Sequence, residues 1–187
     1  MKEEKKLPDT SLNDRLLKTR SVILTGEITK ESADYIVKAL LVLDAESNDN
    51  IILYINSPGG DVDAGFAIYD TIRFIRSQVI TVGLGLVASA ASLVLLAVDK
   101  EFRLGLKNSS YLIHQPLTSM KGVASDILIH ATHMESLRER LDTIIAKACD
   151  KTYEQVRKDT ERDNFLFSEE ALDYGLISKI IENIDEI

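Results

Sequence analysis

Gly83-Leu84-Gly85-Leu86-Val87-Ala88-Ser89-Ala90-Ala91-Ser92-Leu93-Val94-Leu95-Leu96-Ala97 sets two hydroxyls inside an apolar run that follows a strand-like segment, Val79 to Val82. Glycines at a strand end allow a tight turn, and the alanine- and leucine-rich run beyond them favours a helix. Ser89 is therefore expected at or near a strand-to-helix junction. Backbone N–H groups at a helix start lack intrahelical partners and carry partial positive charge, a setting that suits a serine nucleophile flanked by donors for an oxyanion. On this segment alone the plainer reading is the stronger, a packed helix face in which Ser89 and Ser92 are merely small. Gly83 to Ala88 also fits the dinucleotide fingerprint G-x-G-x-x-A. That reading is weak, because Asp99 falls early for a ribose-binding acid and Lys100 to Leu104 does not read as the strand such an acid would end.

Working outward, strands and helices alternate. Asp9 or Ser11 caps a short helix through Leu12, Leu16 and Leu17, and Ser21 to Leu24 reads as a strand closed by Gly26. Thr29 caps a helix with Ala33, Ile36, Val37, Leu40 and Leu41 at helical spacing, which Ser47 to Asn50 breaks. Ile51 to Ile55 is a continuous apolar run of the kind buried on both faces of a sheet. Asn56 to Gly60 reads as a loop, followed by a helix carrying Ala64, Ala67, Ile68, Ile72 and Ile75. Ser110 to Ile113 forms a strand with His114 at its end, before Pro116. Beyond the loop Leu117 to Gly122, a long amphipathic helix runs through Ile127, Ala131, Met134, Leu141, Ile144 and Ala148. Thr152 with Gln155, and later Ser168 with Glu169 and Glu170, start two short helices, and Leu176 to Ile181 makes the last strand. The pattern predicts a single α/β domain over residues 1–187, with no linker or repeat.

The chain has 187 residues, enough for one domain with a sizeable core, and 45% are hydrophobic, as in ordinary globular proteins. With 22 basic against 30 acidic side chains the net charge is -8, which argues against nucleic acid as a partner. The charged start, Met1 to Lys6, leads into no apolar core of a signal peptide, and Leu86 to Val98 is too short and too interrupted to span a bilayer. A single Cys149 makes no internal disulfide and fits a reducing compartment, so a cytoplasmic protein is expected. Cys149 lies near the end of a long helical pattern and reads as structural.

Three strand ends gather the polar chemistry: Ser57 to Gly60, Gly83 to Ser89, and His114 to Pro116. Gly59-Gly60 could offer backbone N–H groups to a carbonyl, or be a plain turn after proline. His130 and His133 stand three apart on the long helix, but without further ligands they read as surface or packing residues, and no metal or cofactor is expected. His114, at a strand end, could serve as a general base. Asp159, Glu161 and Asp163 are all candidates for its acidic partner, and spacing does not choose among them.

Together, several of these segments resemble the proteolytic subunit of the Clp protease family. They are Ser57-Pro58-Gly59-Gly60, Ala64 to Ile72, Ala88-Ser89, Ile113-His114-Gln115-Pro116 and Asp159-Thr160-Glu161-Arg162-Asp163-Asn164-Phe165. Arg15-Leu16-Leu17-Lys18, Glu169-Glu170-Ala171 and Tyr174-Gly175-Leu176-Ile177 extend the likeness to about residues 15 to 181. The resemblance implies a crotonase-like α/β fold with a protruding handle, here about residues 117–149. It implies an ATP-independent serine peptidase subunit with Ser89 as nucleophile, His114 as general base then acid, and Asp163 orienting the imidazole. The N–H groups of Gly60 and Ala90 would form the oxyanion hole. A histidine base must be neutral to accept the serine proton, so activity is expected to fall on acidification.

The resemblance also implies stacked heptameric rings forming a tetradecamer, fed with unfolded polypeptide by an AAA+ unfoldase. Glu161 and Arg162 match positions that link ring-to-ring contact to the alignment of the triad. Ala90 stands where the family usually has methionine. The loop Leu117 to Asp126 lacks the family's glycines and its Gln and Glu pair, and Met1 to Ser11 does not resemble the pore-lining segment. These departures suit a divergent paralogue that works best mixed with another subunit, or a weakly active or structural subunit of a mixed ring.

Overall fold

A computed structural model describes residues 12–119 and 121–187. In chain order the elements are α1 (Leu12–Leu17), β1 (Ser21–Thr25), α2 (Lys30–Glu46), β2 (Ile51–Ser57), α3 (Val62–Phe74), β3 (Val79–Ala88), α4 (Ala90–Leu95) and β4 (Arg103–Leu106). They continue with β5 (Ser110–Ile113), α5 (Ala124–Ala148), α6 (Tyr153–Asp159), β6 (Asn164–Phe167), α7 (Ser168–Tyr174) and β7 (Lys179–Ile181). The cap expected at Asp9 or Ser11 and the divergent segment 1–11 lie outside the described residues.

Strands β1, β2, β3, β4 and β7 lie side by side in parallel. In β2, Ile51, Leu53 and Ile55 are wholly buried, and Ile36, Leu40 and Leu43 of α2 with Ile68 and Ile72 of α3 belong to the same core. The start of α2 is fixed at Thr29, as the sequence predicts. The Thr29 hydroxyl accepts from the Ser32 N–H at 3.2 Å and the Ser32 hydroxyl accepts from the Thr29 N–H at 2.9 Å, closing a capping box. Asp61 caps α3 by accepting from the Ala64 N–H at 2.9 Å.

The opening stretch behaves differently from its reading as a turn. β3 runs through both glycines to Ala88, and the helix begins only at Ala90. Residues 79–83 pair with β2, while Leu86 to Ala88 pair with β5. Gly85, at φ +61, makes the bend between the two halves, and the Asn56 carboxamide packs into the space a side chain there would fill. Gly83 has another reason: a Cβ on it would lie 2.5 Å from the hydroxyl of buried Tyr111, and one on its cross-strand partner Gly105 would strike the same oxygen. The glycine pattern thus houses a tyrosine and a bend and opens no helix, which removes the dinucleotide reading.

Other elements depart from expectation locally. β2 continues through Asn56 and Ser57, β4 occupies a segment not read as a strand, and β7 covers only the end of Leu176 to Ile181. Ser168 begins α7 but does not cap it: the Glu170 carboxylate accepts from the Phe167 N–H at 2.8 Å, and the Ser168 hydroxyl donates to the Lys107 carbonyl. β6, read only as a polar run before Phe165, pairs antiparallel with β5. In α5, every residue up to 133 is exposed, whereas Arg138, Asp142, Ile145 and Ala146 are buried. No helix among the described residues is long and apolar enough to cross a membrane.

Candidate active site

Ser89 occupies the single residue between β3 and α4, with φ 56 and ψ -122, a conformation that L side chains rarely adopt. Holding a non-glycine residue there costs about 1–3 kcal/mol, so the surroundings must impose it. They do so through the backbone. The Ser89 N–H donates to the Leu112 carbonyl at 2.9 Å, and the Ser89 carbonyl accepts from the Ser92 N–H at 2.9 Å. The Ser92 hydroxyl, read from sequence as merely small, lies 3.0 Å from the Leu112 carbonyl and ties α4 to β5.

Gly59, at φ +88, closes the turn from the other side. A Cβ on Gly59 would lie 2.6 Å from the Ala88 carbonyl oxygen, 2.7 Å from Ser89 Cβ and 2.9 Å from the Ala90 nitrogen. The close approach to the serine turn is thus made by Gly59, whereas Gly60 is pressed against the Ile28 backbone, with which it bridges. Among the described residues, the N–H groups of Gly60 and Ala90 donate to no backbone or side-chain acceptor. Donors of this kind, left free at a helix start and beside a glycine turn, can hold a developing oxyanion.

His114 follows the end of β5 and Asp163 precedes β6. The antiparallel register pairs Ile113 with Asn164, so the next residues outward, His114 and Asp163, face each other across the strand end. His114 Nδ1 lies 3.1 Å from Asp163 Oδ1. Of the three acids, Asp163 meets the imidazole, while Asp159 accepts from the Tyr174 hydroxyl at 3.0 Å and Glu161 from Arg138 at 2.6 Å. The guanidinium of Arg138 holds the Glu161 carboxyl below its ordinary range. Glu161 is thus engaged within its own chain, and Arg162 lines an open pocket of about 330 Å³ with His114, Gln115 and Asp163.

The other imidazole nitrogen, His114 Nε2, is buried and has no hydrogen-bond partner among the described residues. Ser89 and His114 line one narrow cavity of about 30 Å³, walled by Val62, Ala90, Leu93, Ile113, Leu141 and Ile145. Leu141 and Ile145 come from the buried end of α5, so the long helix shapes the site. Chemically, the arrangement suits acyl transfer: a hydroxyl on a strained elbow, an imidazole steered by a carboxylate, and free N–H donors beside the hydroxyl. Cys149 is buried, and burial pushes its thiol up to about 11, which leaves it a packing residue.

The fold is a mixed α/β fold of crotonase-like topology built on a parallel sheet, and Ser89, His114 and Asp163 stand at its strand ends in that chain order. The chain belongs to the Clp protease family, whose model matches residues 4–184. It is 50% identical, over the whole chain and 94% of the relative, to the ATP-dependent Clp protease proteolytic subunit 2 of Treponema denticola. To the protein of the same name in Treponema pallidum it is 52% identical, over 90% of this chain and 85% of the relative. A solved structure of a mutant ClpP1 from Listeria monocytogenes superposes with a TM-score of 0.87 at 45% identity, covering 94% of this chain and 98% of that one. The fold is that of the Clp proteolytic subunits.

Proposed function

We propose that this chain is a serine endopeptidase subunit that cleaves peptide bonds of unfolded polypeptides inside an oligomeric chamber, with Ser89, His114 and Asp163 as its triad. The observation that carries the reading is the cavity shared by Ser89 and His114, into whose wall the histidine brings a buried Nε2 without a partner, while Asp163 engages Nδ1. In the reaction, Ser89 Oγ attacks the carbonyl carbon of the scissile bond as His114 Nε2 takes the hydroxyl proton. The N–H groups of Gly60 and Ala90 stabilise the oxyanion. The tetrahedral intermediate collapses, His114 returns the proton to the departing amine, and an acyl-enzyme on Ser89 remains. Water, deprotonated by His114, then releases the acid product and restores the serine. Asp163 keeps Nδ1 protonated and stabilises the imidazolium.

The family supports self-association into rings and service to an AAA+ ATPase. The finer assembly, two heptameric rings with the handle of residues 117–149 between them, is part of the same proposal, as is a cytoplasmic location. Glu161 and Arg162 then link assembly to the site, with Glu161 held by Arg138 of its own handle. Replacing Ser89, His114 or Asp163 with alanine is expected to reduce hydrolysis of an unfolded fluorescent protein by about 10⁴-fold or more in each case. Variants that assemble as wild type yet keep cleaving would contradict the triad.

A second reading, a weakly active or structural subunit of a mixed ring, draws on the unpartnered His114 Nε2, which makes no hydrogen bond to Ser89 in the single chain. Hydrolysis that appears only when a paralogous subunit is added, and that depends on the partner's own serine alone, would favour it.

A further inference from the structure

The root of α5 buries more charge than the site so far explains. Asp142 is almost wholly enclosed, and burial pushes its carboxyl above the ordinary range. Its Oδ1 accepts from the Thr160 hydroxyl at 2.7 Å, and its Oδ2 lies 3.7 Å from Arg138 Nε and 3.8 Å from Arg157 Nη1. A buried carboxylate without two direct hydrogen bonds per oxygen is expensive, and nothing in a packed helix root requires one. What it holds is informative. Thr160 is fully buried, and its carbonyl accepts from the Gln115 N–H at 2.7 Å. The Gln115 carboxamide in turn donates to the Glu161 carbonyl at 2.7 Å. Gln115 is the residue after His114, and Thr160 lies three residues before Asp163. The Asp142–Thr160 bond therefore pins, to the helix whose Leu141 and Ile145 wall the Ser89 cavity, the short segment on which the imidazole and its carboxylate both depend.

We propose that Asp142 and Thr160 are positioning residues of the peptidase site, fixing the His114–Asp163 pair relative to Ser89 by tying the segment 160–163 to the root of α5. The inference rests on the triad reading above. Asp163 is largely exposed, so its place is set by the backbone behind it, which is tied to α5 through the buried Thr160–Asp142 bond and, at the exposed Glu161, through Arg138. Arg138 and Arg157 do not substitute for the bond. Each has a second carboxylate, Glu161 and Glu135 respectively, whereas among the described residues the Thr160 hydroxyl has only Asp142.

The test uses the assembled protein, with a paralogous subunit if activity needs one, a fluorogenic peptide and a fluorophosphonate probe. Thr160→Val keeps the side-chain shape and removes the donor. It is expected to lower kcat and the rate of Ser89 labelling together by about tenfold, with KM within about twofold, since displaced reacting groups cost turnover more than binding. Thr160→Ser restores the hydroxyl and is expected to recover most of the rate. Asp142→Ala removes the acceptor while both arginines keep a partner, and should cost the same tenfold. The double variant should cost no more than either single one, because the two residues act through one bond. Losses that multiply, or no recovery with serine, mean that Thr160 only packs, and overturn the inference. If neither Thr160→Val nor Asp142→Ala assembles, the pair holds the fold and the inference likewise falls. Wild-type labelling separates the two claims: unlabelled Ser89 defeats the function with this inference, whereas labelled wild type and equally labelled Thr160→Val defeats this inference alone.

Discussion

Ser89 and His114, the latter with Asp163 at its Nδ1, come to one cavity by different means. The serine is held locally. Its strained turn follows directly from β3, is braced by bonds to β5, and is closed by Gly59 packing against it. The histidine and aspartate are 49 residues apart in sequence and meet only because β5 and β6 pair in one register and the segment before Asp163 is anchored behind it. The difference teaches which half of the site is preset. The serine is presented by one turn that β5 and Gly59 brace, while the histidine is placed only as well as the pairing of β5 with β6 places it.

Three changes would break or sharpen this contrast. Asp163→Asn, which keeps the shape of the side chain, attacks the long-range half and should lower kcat by about 10⁴-fold by favouring the wrong imidazole tautomer. A fluorogenic peptide assay reads this directly. Gly59→Ala attacks the local half, because its Cβ would collide with the Ala88 carbonyl, Ser89 and the Ala90 nitrogen. A loss of about 10²- to 10³-fold in kcat/KM is expected as the elbow and its donor shift. A fully active Gly59→Ala would show that the turn is not held from that side. The smallest intrinsic effect belongs to the far end of α5, where Leu128 is 68% exposed. Leu128→Ser should change folding stability by no more than about 0.5 kcal/mol in urea titration while weakening association of copies in native mass spectrometry. A large loss of stability instead would mean that the tip packs on its own chain.

The same contrast explains what the sequence discloses. Periodicity located α2, α3 and the buried β2, with Thr29 marking the start of α2, because these elements follow from residues a few places apart. The strand-to-helix junction at Ser89 was legible for the same reason, although its glycines were not. Gly83 and Gly105 make room for Tyr111, a packing relation across three strands that no local pattern carries. β6 escaped detection because Asn164 to Phe167 is only four residues long and leaves both Phe165 and Phe167 exposed. Without β6, Asp163 stood level with Asp159 and Glu161, and only the family resemblance separated them. Ser92, Asp142 and Thr160 gave no signal, since a hydroxyl or a carboxylate on a helix or a loop is ordinary until its partner is known.

The most direct measurement is mass-spectrometric mapping of the assembled protein after reaction with a fluorophosphonate. A single adduct on Ser89, absent from the Ser89→Ala variant and formed far more slowly in His114→Ala, is the result predicted for a serine activated by that histidine. An adduct on another residue, or a Ser89 that reacts equally fast without His114, would contradict the account.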